Sequence, residues 1–316
     1  MLIHCHAPVR IDFAGAWTDV PHFADAFGGA TLNAAIRVHI RGTLEAHEDE
    51  NSGLPGTLAT DSEPSCSAHN GIPALAVNYG SAIPSGSGLG TSATLNVVWL
   101  ALARRQPIVS EEDKMQLAEL AFQVEKTLGI IGGKQDQYAS AVGGINLFEF
   151  HAQGASRQPV ILSAERIAEL ESLLVLCYTG KARLSSNIHQ NVWGNFREGR
   201  RETIDALFGL RTSAYAARDA LESGDLGIFS HIVSEQRHLM TKLDKSTTNA
   251  QIEQIFDAVA GDIMGGKPCG AGGGGCLFFI AKDAHAKERI HSTLAGLGLQ
   301  SMNITFDFDG VVLSSE

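Results

Sequence analysis

Long apolar runs are missing from this chain. Its longest uncharged apolar stretch, Leu95 to Ala103, falls far short of the ~20 residues that a bilayer-spanning helix needs. Basic charge is scarce too: 24 Lys and Arg stand against 35 Asp and Glu, the net charge is −11, and no Lys/Arg run occurs. Such a balance is a poor match for nucleic acid or an anionic membrane, so neither is an expected partner. A phosphorylated small molecule stays open, because a few local amides and basic side chains suffice for it. The cysteines (Cys5, Cys66, Cys177, Cys269, Cys276) are few, odd in number and without a CxxC pair. Reduced thiols packed as small core residues, in a cytoplasmic protein, are the expectation. The segment MLIHCHAPVRID lacks a basic stretch followed by an apolar block, so no secretory leader is expected.

What the chain does have is core material and glycine. Hydrophobic residues make up 44% and charged residues 19% of 316 positions, and 34 are glycine. At roughly 100–200 residues per domain, one large or two moderate domains follow. Ile36, Val38 and Ile40 alternate with Arg37, His39 and Arg41, a period-two strand with one wet face. Residues from about Glu48 to Ser67 are turn formers without periodicity and read as a surface loop. Glu111 to Thr127 reads as a helix with acids in its first turn, ending at the glycine cluster Gly129, Gly132 and Gly133.

Further on, Leu173 to Tyr178 has the look of a buried strand, and helical patterns cover Arg201–Leu221, Leu226–Leu243 and Gln251–Met264. CLFFIA reads as another strand, and Ile304, Phe306 and Phe308 alternate as in a strand near the end. A boundary is expected at residues 151–170, between a mixed N-terminal half and a helix-rich C-terminal half. The class is α+β in two domains, 1–160 and 161–316.

The strongest local signal is Pro84-Ser85-Gly86-Ser87-Gly88-Leu89-Gly90-Thr91-Ser92, which opens directly into a helix-compatible run. Alternate glycines let the backbone turn tightly, and the following helix presents unpaired N–H groups and a partial positive charge. Together these form a seat for an anion, most plausibly polyphosphate. The loop is not a Walker A sequence, because no Gly-Lys-Ser/Thr follows. The hydroxyls of Thr91 and Ser92 at the helix start offer a ligand for Mg²⁺.

Glu125 and Asp136 form the second signal. On a continuous helix they would stand about 16 Å apart, at ~1.5 Å per residue. The intervening glycines let the chain fold back and bring both carboxylates to one cation. Asp136 lies in KQDQY beside Lys134, whose ammonium would favour the ionised carboxylate. The plainer alternative is an exposed helix Glu and an N-capping Asp. Arg10 and Asp19, in APVRIDFAGAWTD, form the third signal: an Asp suited to sugar hydroxyls and an Arg suited to a carboxylate or a phosphoryl group. A surface ion pair is the competing reading. The fourth is GAGGGG at 270–275, which allows close approach of a ligand or tight packing of strand on helix. Trp17 has two readings, a residue that lines a site and, ahead of it, simple packing, while the histidines read as ordinary strand or helix residues.

In their order and spacing, APxRIDFAGAWTD, PSGSGLGTSA, Glu125 with KQDQYASAVGG, and GAGGGG resemble the motifs of the GHMP kinases, over residues 8 to about 280. RIDFAGAWTDVPHFADAFGGATLNAAI, GGKQDQYASAVGGINLFEF and YTGKARLSSNI are similar to the D-glycero-D-manno-heptose 7-phosphate kinases of that family. The Trp in GAWTD is more like the fucokinases.

The resemblance implies a two-domain kinase with its site in the inter-domain cleft. It implies ATP and Mg²⁺ as requirements and a small-molecule sugar or sugar phosphate as acceptor, phosphorylated at its anomeric hydroxyl. Residue by residue, it places Pro84 through Ser92 on the nucleotide and Ser92 and Glu125 on the metal. Asp136 becomes the base, and Arg10 the cation beside it. Asp19, Lys134, Gly272 and Gly273 fall at the substrate. A catalytically silent sensor of sugar and nucleotide is the reading from another class. A homodimer is left open.

Overall fold

The computed structural model describes residues 2–45, 76–81, 86–181 and 186–315. The chain begins with β1 (Leu2–Ala14), α1 (Pro21–Phe27), β2 (Gly29–Glu45) and β3 (Ala76–Ser81). Three helices follow, α2 (Thr91–Arg104), α3 (Glu111–Thr127) and α4 (Gln135–Val142), and then the hairpin β4 (Ile145–His151) and β5 (Gly154–Pro159). Next come α5 (Ala164–Leu173), β6 (Leu174–Tyr178), α6 (Ser186–Arg197), α7 (Arg201–Ser223), α8 (Leu226–Leu243) and α9 (Ala250–Val259). The chain closes with β7 (Ile263–Pro268), β8 (Cys276–Ala281), α10 (Ala284–Gly296), β9 (Gln300–Asn303) and β10 (Val312–Ser315).

These strands make two sheets. The larger has the order β10-β1-β2-β4-β5, with β3 also paired to β2, and the smaller has the order β7-β8-β6-β9. In β2, Ile36 and Ile40 are buried while Arg37 is exposed, as the period-two pattern requires. The start of α3 is fixed by a capping box, in which Ser110 accepts from the Asp113 amide and Asp113 accepts from that of Ser110. Among the described residues no helix is long and apolar enough to cross a membrane. Cys5, Cys177, Cys269 and Cys276 are free and buried, and Cys66 lies outside the described residues, as does the loop expected at 48–67.

The structure corrects the sequence reading at several places. The C-terminal half is not self-contained, because β10 returns to pair antiparallel with β1. The halves also share one apolar core. Phe13 of β1 packs edge-on against Phe229, Phe278 and Phe306, at centroid distances of 5.2, 5.8 and 6.4 Å. The helical pattern of 251–264 stops at Val259, and Ile263–Pro268 is a strand. Within that strand Gly265 lies so close to the Ser230 carbonyl of α8 that no side chain fits between. The alternation of Ile304, Phe306 and Phe308 is not a strand, and only an isolated bridge from Phe306 to Ile36 forms there. Asp307 breaks the ladder by accepting from the amides of Asp309 and Gly310.

Candidate active site

Three segments distant in sequence meet at a cavity of about 430 Å³: the end of β1, the 86–92 loop with the start of α2, and the α3–α4 connection. The loop owes its shape to glycine. Gly86, Gly88 and Gly90 all take left-handed backbone, at φ 78°, 80° and 78°. Two of them are also pressed by neighbours. A Cβ on Gly88 would stand 2.7 Å from the Cys269 carbonyl oxygen, and one on Gly90 would stand 3.0 Å from the Asp136 Cγ. Gly90 is the residue before α2, so the helix begins where the loop ends and turns its free N–H groups outward.

Glu125 sits in the last turn of α3 and Asp136 in the first turn of α4. The break at Leu128–Lys134 folds the chain back, and both carboxylates line the same cavity. Arg10 reaches Asp136 from β1, with Nε donating to Oδ1 at 2.7 Å and Nη2 lying 2.5 Å from the same oxygen. The other amine of that guanidinium donates to the Gly88 carbonyl at 2.6 Å and stands 3.4 Å from Asp12 Oδ1. One arginine therefore holds both the carboxylate and the glycine loop. Arg10 is buried at 3% exposure, whereas the Asp136 side chain keeps 26% open.

Behind Arg10 lies a pair that the sequence reading missed. Lys267 of β7 donates to Asp12, both side chains are fully buried, and Asp12 also accepts from the Gly270 amide at 2.7 Å. The result is a row of alternating charge, Lys267, Asp12, Arg10 and Asp136. Asp12 was legible, since residues i and i+2 of a strand share a face with one another. Lys267 had no such signal.

Burial sets the electrostatics of the acids. It pushes the Asp136 carboxyl above its ordinary range, against the pull of Arg10. Glu125 is pushed up to about 7, by burial first and by Asp136 as well, although Asn96 and Gln137 each donate to it at 2.8 Å. Asp19 is likewise pushed up to about 7 by burial, despite accepting from the Gln135 amide at 3.0 Å. Of the three, Asp136 is the one that is ion-paired among the described residues, with Arg10. Each oxygen of Glu125 has one hydrogen bond, which leaves lone pairs over for a ligand.

The remaining candidates divide cleanly. Gly86, Ser87, Gly88, Gly90, Thr91, Ser92, Arg10, Asp19, Glu125 and Asp136 all line the cavity. Pro84 and Ser85 lie outside the described residues. Leu89 is fully buried, and its carbonyl accepts from the Arg10 amide at 3.1 Å, so it supports the loop from behind. Lys134 is a correction. Its ammonium donates to Glu119 at 3.1 Å and lies 4.9 Å from the centre of the Phe122 ring, outside the cavity wall. It therefore neither faces the substrate space nor pairs with Asp136, a task that falls to Arg10. Gly272 and Gly273 are a second correction. They pack on Thr247, whose carbonyl accepts from the Gly273 amide at 2.5 Å, and the cavity wall is instead formed by Gly270 and Ala271. Trp17, for which packing was the first reading and site lining the second, lines the cavity as well.

Family models for the N-terminal and C-terminal domains of GHMP kinases match residues 63–144 and 217–297. A D-glycero-alpha-D-manno-heptose 7-phosphate kinase of Campylobacter jejuni is 30% identical, across 88% of this chain and 89% of its own length. A bifunctional fucokinase/GDP-fucose pyrophosphorylase of Arabidopsis thaliana is 28% identical across 91% of this chain, but only 30% of its own length is matched. Among solved structures, a D-glycero-D-manno-heptose 1-phosphate kinase from Bacteriodes thetaiotaomicron superposes with a TM-score of 0.74 at 27% identity, covering 99% of both chains. Matched by family models in both halves and by a 30% identical relative across 88% of its length, the chain belongs to the GHMP kinase family.

Proposed function

We propose that the protein transfers the γ-phosphoryl group of ATP to a sugar hydroxyl, and that the acceptor is a heptose 7-phosphate-like sugar attacked through its anomeric hydroxyl. The observation that carries this reading is the Asp136 carboxylate, part-open to the cavity and gripped by Arg10 beside the glycine loop. Phosphoryl transfer asks a protein for positioning and charge stabilisation more than for covalent help. The amides of residues 86–92 and the α2 N-terminus suit the phosphates of ATP. Asp136 takes the proton of the acceptor hydroxyl as its oxygen forms the new bond to phosphorus. The bond from phosphorus to the β-phosphate oxygen breaks, and ADP leaves. Arg10 keeps Asp136 aimed and its charge compensated.

Ser92 and Glu125 are the residues that would hold Mg²⁺. Both line the cavity, and the raised Glu125 carboxyl has no ion-pair partner among the described residues, a place that a divalent ion would fill. Bound there, the ion neutralises phosphate charge. The heptose choice leans on the Campylobacter relative and the fucose alternative on the Arabidopsis one, while the heptose kinase of known structure bears a different phosphate position in its name.

The test is ADP release against heptose 7-phosphate, fucose, galactose and homoserine, with NMR of the product. Asp136→Asn is expected to lower turnover about a thousandfold, within the usual span for a general base, while ATP affinity stays nearly intact. Wild-type turnover in that variant would remove the base, and ADP release with homoserine alone would remove the sugar.

A further inference from the structure

Glu125 is nearly closed to solvent, at 7% exposure, and has no ion-pair partner among the described residues. Two neutral amides hold it instead. Asn96 of α2 donates from Nδ2 to Oε1 at 2.8 Å, and Gln137 of α4 donates from Nε2 to Oε2 at 2.8 Å. Each carboxylate oxygen of this α3 residue is thus tied to a different helix. Neither amide can be turned around, because a flip would set its oxygen against a carboxylate oxygen. The two outer helices are fixed to each other as well, through a buried hydroxyl pair, Thr94 and Ser140, at 2.6 Å.

This clamp joins the parts of the site in sequence as well as in space. Asn96 stands four residues after Ser92, a spacing that puts both on one face of α2, and both line the cavity with Glu125. Gln137 follows Asp136 directly, so one peptide unit separates the carboxylate gripped by Arg10 from the amide that holds Glu125. The chemistry of the donors matters here. An ammonium or guanidinium in place of either amide would hold the carboxylate at least as firmly and cancel its charge. An amide orients the carboxylate and leaves the charge uncancelled. Burying a carboxylate without a cation is unfavourable, and a hydrocarbon side chain would pack the three helices without that penalty.

We propose that Asn96 and Gln137 are positioning residues for a divalent cation at Glu125, orienting its carboxylate without neutralising it, a task that rests on the kinase reading above. That reading leaves both side chains unused. Hydrogen-bond partners behind a metal-binding group typically contribute about 10–100-fold in metal affinity. The ion and the nucleotide phosphates would share one cavity, so the contribution can be read as a coupling between them. Mg²⁺ should strengthen nucleotide binding, and by linkage nucleotide should strengthen Mg²⁺ binding by the same factor. Removing a clamp amide should shrink that factor and leave the binding of metal-free nucleotide alone.

The probe is AMPPNP, an ATP analogue with a non-transferable phosphoryl group, titrated calorimetrically in Mg²⁺ and in EDTA. Asn96→Leu and Gln137→Met keep the size and remove the donors. Each should cut the gain in AMPPNP affinity that Mg²⁺ gives the wild type by about tenfold, with the affinity in EDTA little changed. Asn96 is half-buried, so the test stands even where Gln137→Met fails to fold. Asn96→Lys is the sharper variant. It keeps a donor for Glu125 and adds the cancelling charge, so the Mg²⁺ gain should vanish while the melting temperature holds or rises. In turnover, the Mg²⁺ concentration for half-maximal rate should rise about tenfold in Asn96→Leu, with a smaller loss once Mg²⁺ saturates. No Mg²⁺ gain in wild type, or a gain unchanged in both Asn96 variants, would overturn the assignment. Equal losses of AMPPNP affinity in Mg²⁺ and in EDTA would overturn it too. If wild type binds no AMPPNP, the kinase reading has failed, and Mn²⁺ alone, followed by the fall of its free EPR signal, decides the clamp separately. Mn²⁺ bound by wild type and weakened in Asn96→Leu supports it, and no binding by wild type, or equal binding by both, overturns it.

Discussion

Residues 86–90 and 270–275 are both glycine runs in left-handed backbone, and they touch each other, yet their amides have opposite fates. In the second loop the N–H groups are taken up inside the protein. Gly270 donates to Asp12, Gly273 to Thr247 and Gly275 to Lys181, and the adjoining Cys276 donates to the Ser87 carbonyl at 2.6 Å. In the first loop, Gly86, Ser87, Gly88 and Gly90 line the cavity, and the helix that follows opens onto it. One loop is a buckle between the two sheets, and the other faces the cavity, where the proposed function needs a seat for phosphate. Glycine density shows where backbone comes close to something, and the partner decides whether that something is a ligand or the protein itself.

The contrast can be broken at four points. Gly275→Ala should have the largest effect on the fold, because the new Cβ would overlap the Ser87 carbonyl at a φ of 75°. A loss of about 3 kcal/mol is expected, seen as a lower denaturation midpoint with little change in the activity of the folded fraction. Gly90→Ala should reverse the pattern. Its Cβ would press on the Asp136 carboxylate at 3.0–3.1 Å, so turnover should fall about a hundredfold while the melting temperature moves far less. Equal effects of the two variants on stability and turnover would erase the distinction between buckle and seat.

Lys134→Met comes next. It removes a half-buried ion pair with Glu119 and should destabilise by about 1 kcal/mol while leaving KM for the sugar unchanged, a result that measured thermal shifts and kinetics together would check. The smallest effect is a pH slope. Glu125 and Asp19 are each pushed up to about 7 in the fold, above their ordinary carboxylate values. The folded state therefore holds these protons more tightly than the unfolded chain does. Their contribution is fully present below the unfolded value and is lost as pH rises through about 7. Without divalent cation, thermal stability should decline between pH 5 and pH 8, and Glu125→Gln should flatten the slope. A slope unaltered by that substitution would show that the carboxyl is already compensated.

Much of the site was legible because spacing and element type speak together. The glycines after Thr127 announced the turn that returns Asp136 to Glu125, and both do line one cavity. The failures share a cause. Lys134 was coupled to Asp136 because they are two residues apart, but positions two apart on a helical turn point to nearly opposite sides. Arg10 and Asp12 have the same spacing on a strand, where it puts them on one face, and that pair was passed over. Fold elements with strong local periodicity, such as α7, α8 and β8, match their patterns closely. The strand β10 was not foreseen as part of the first sheet, since pairing across some 300 residues leaves no local trace.

The row from Lys267 to Asp136 runs from the smaller sheet, through the larger, to the rim of the cavity. Pulling the sheets apart would take the Lys267 ammonium away from Asp12 and leave Arg10 to be shared by Asp12 and Asp136. Readiness of the Asp136 carboxylate is for that reason a property of the docked pair of sheets.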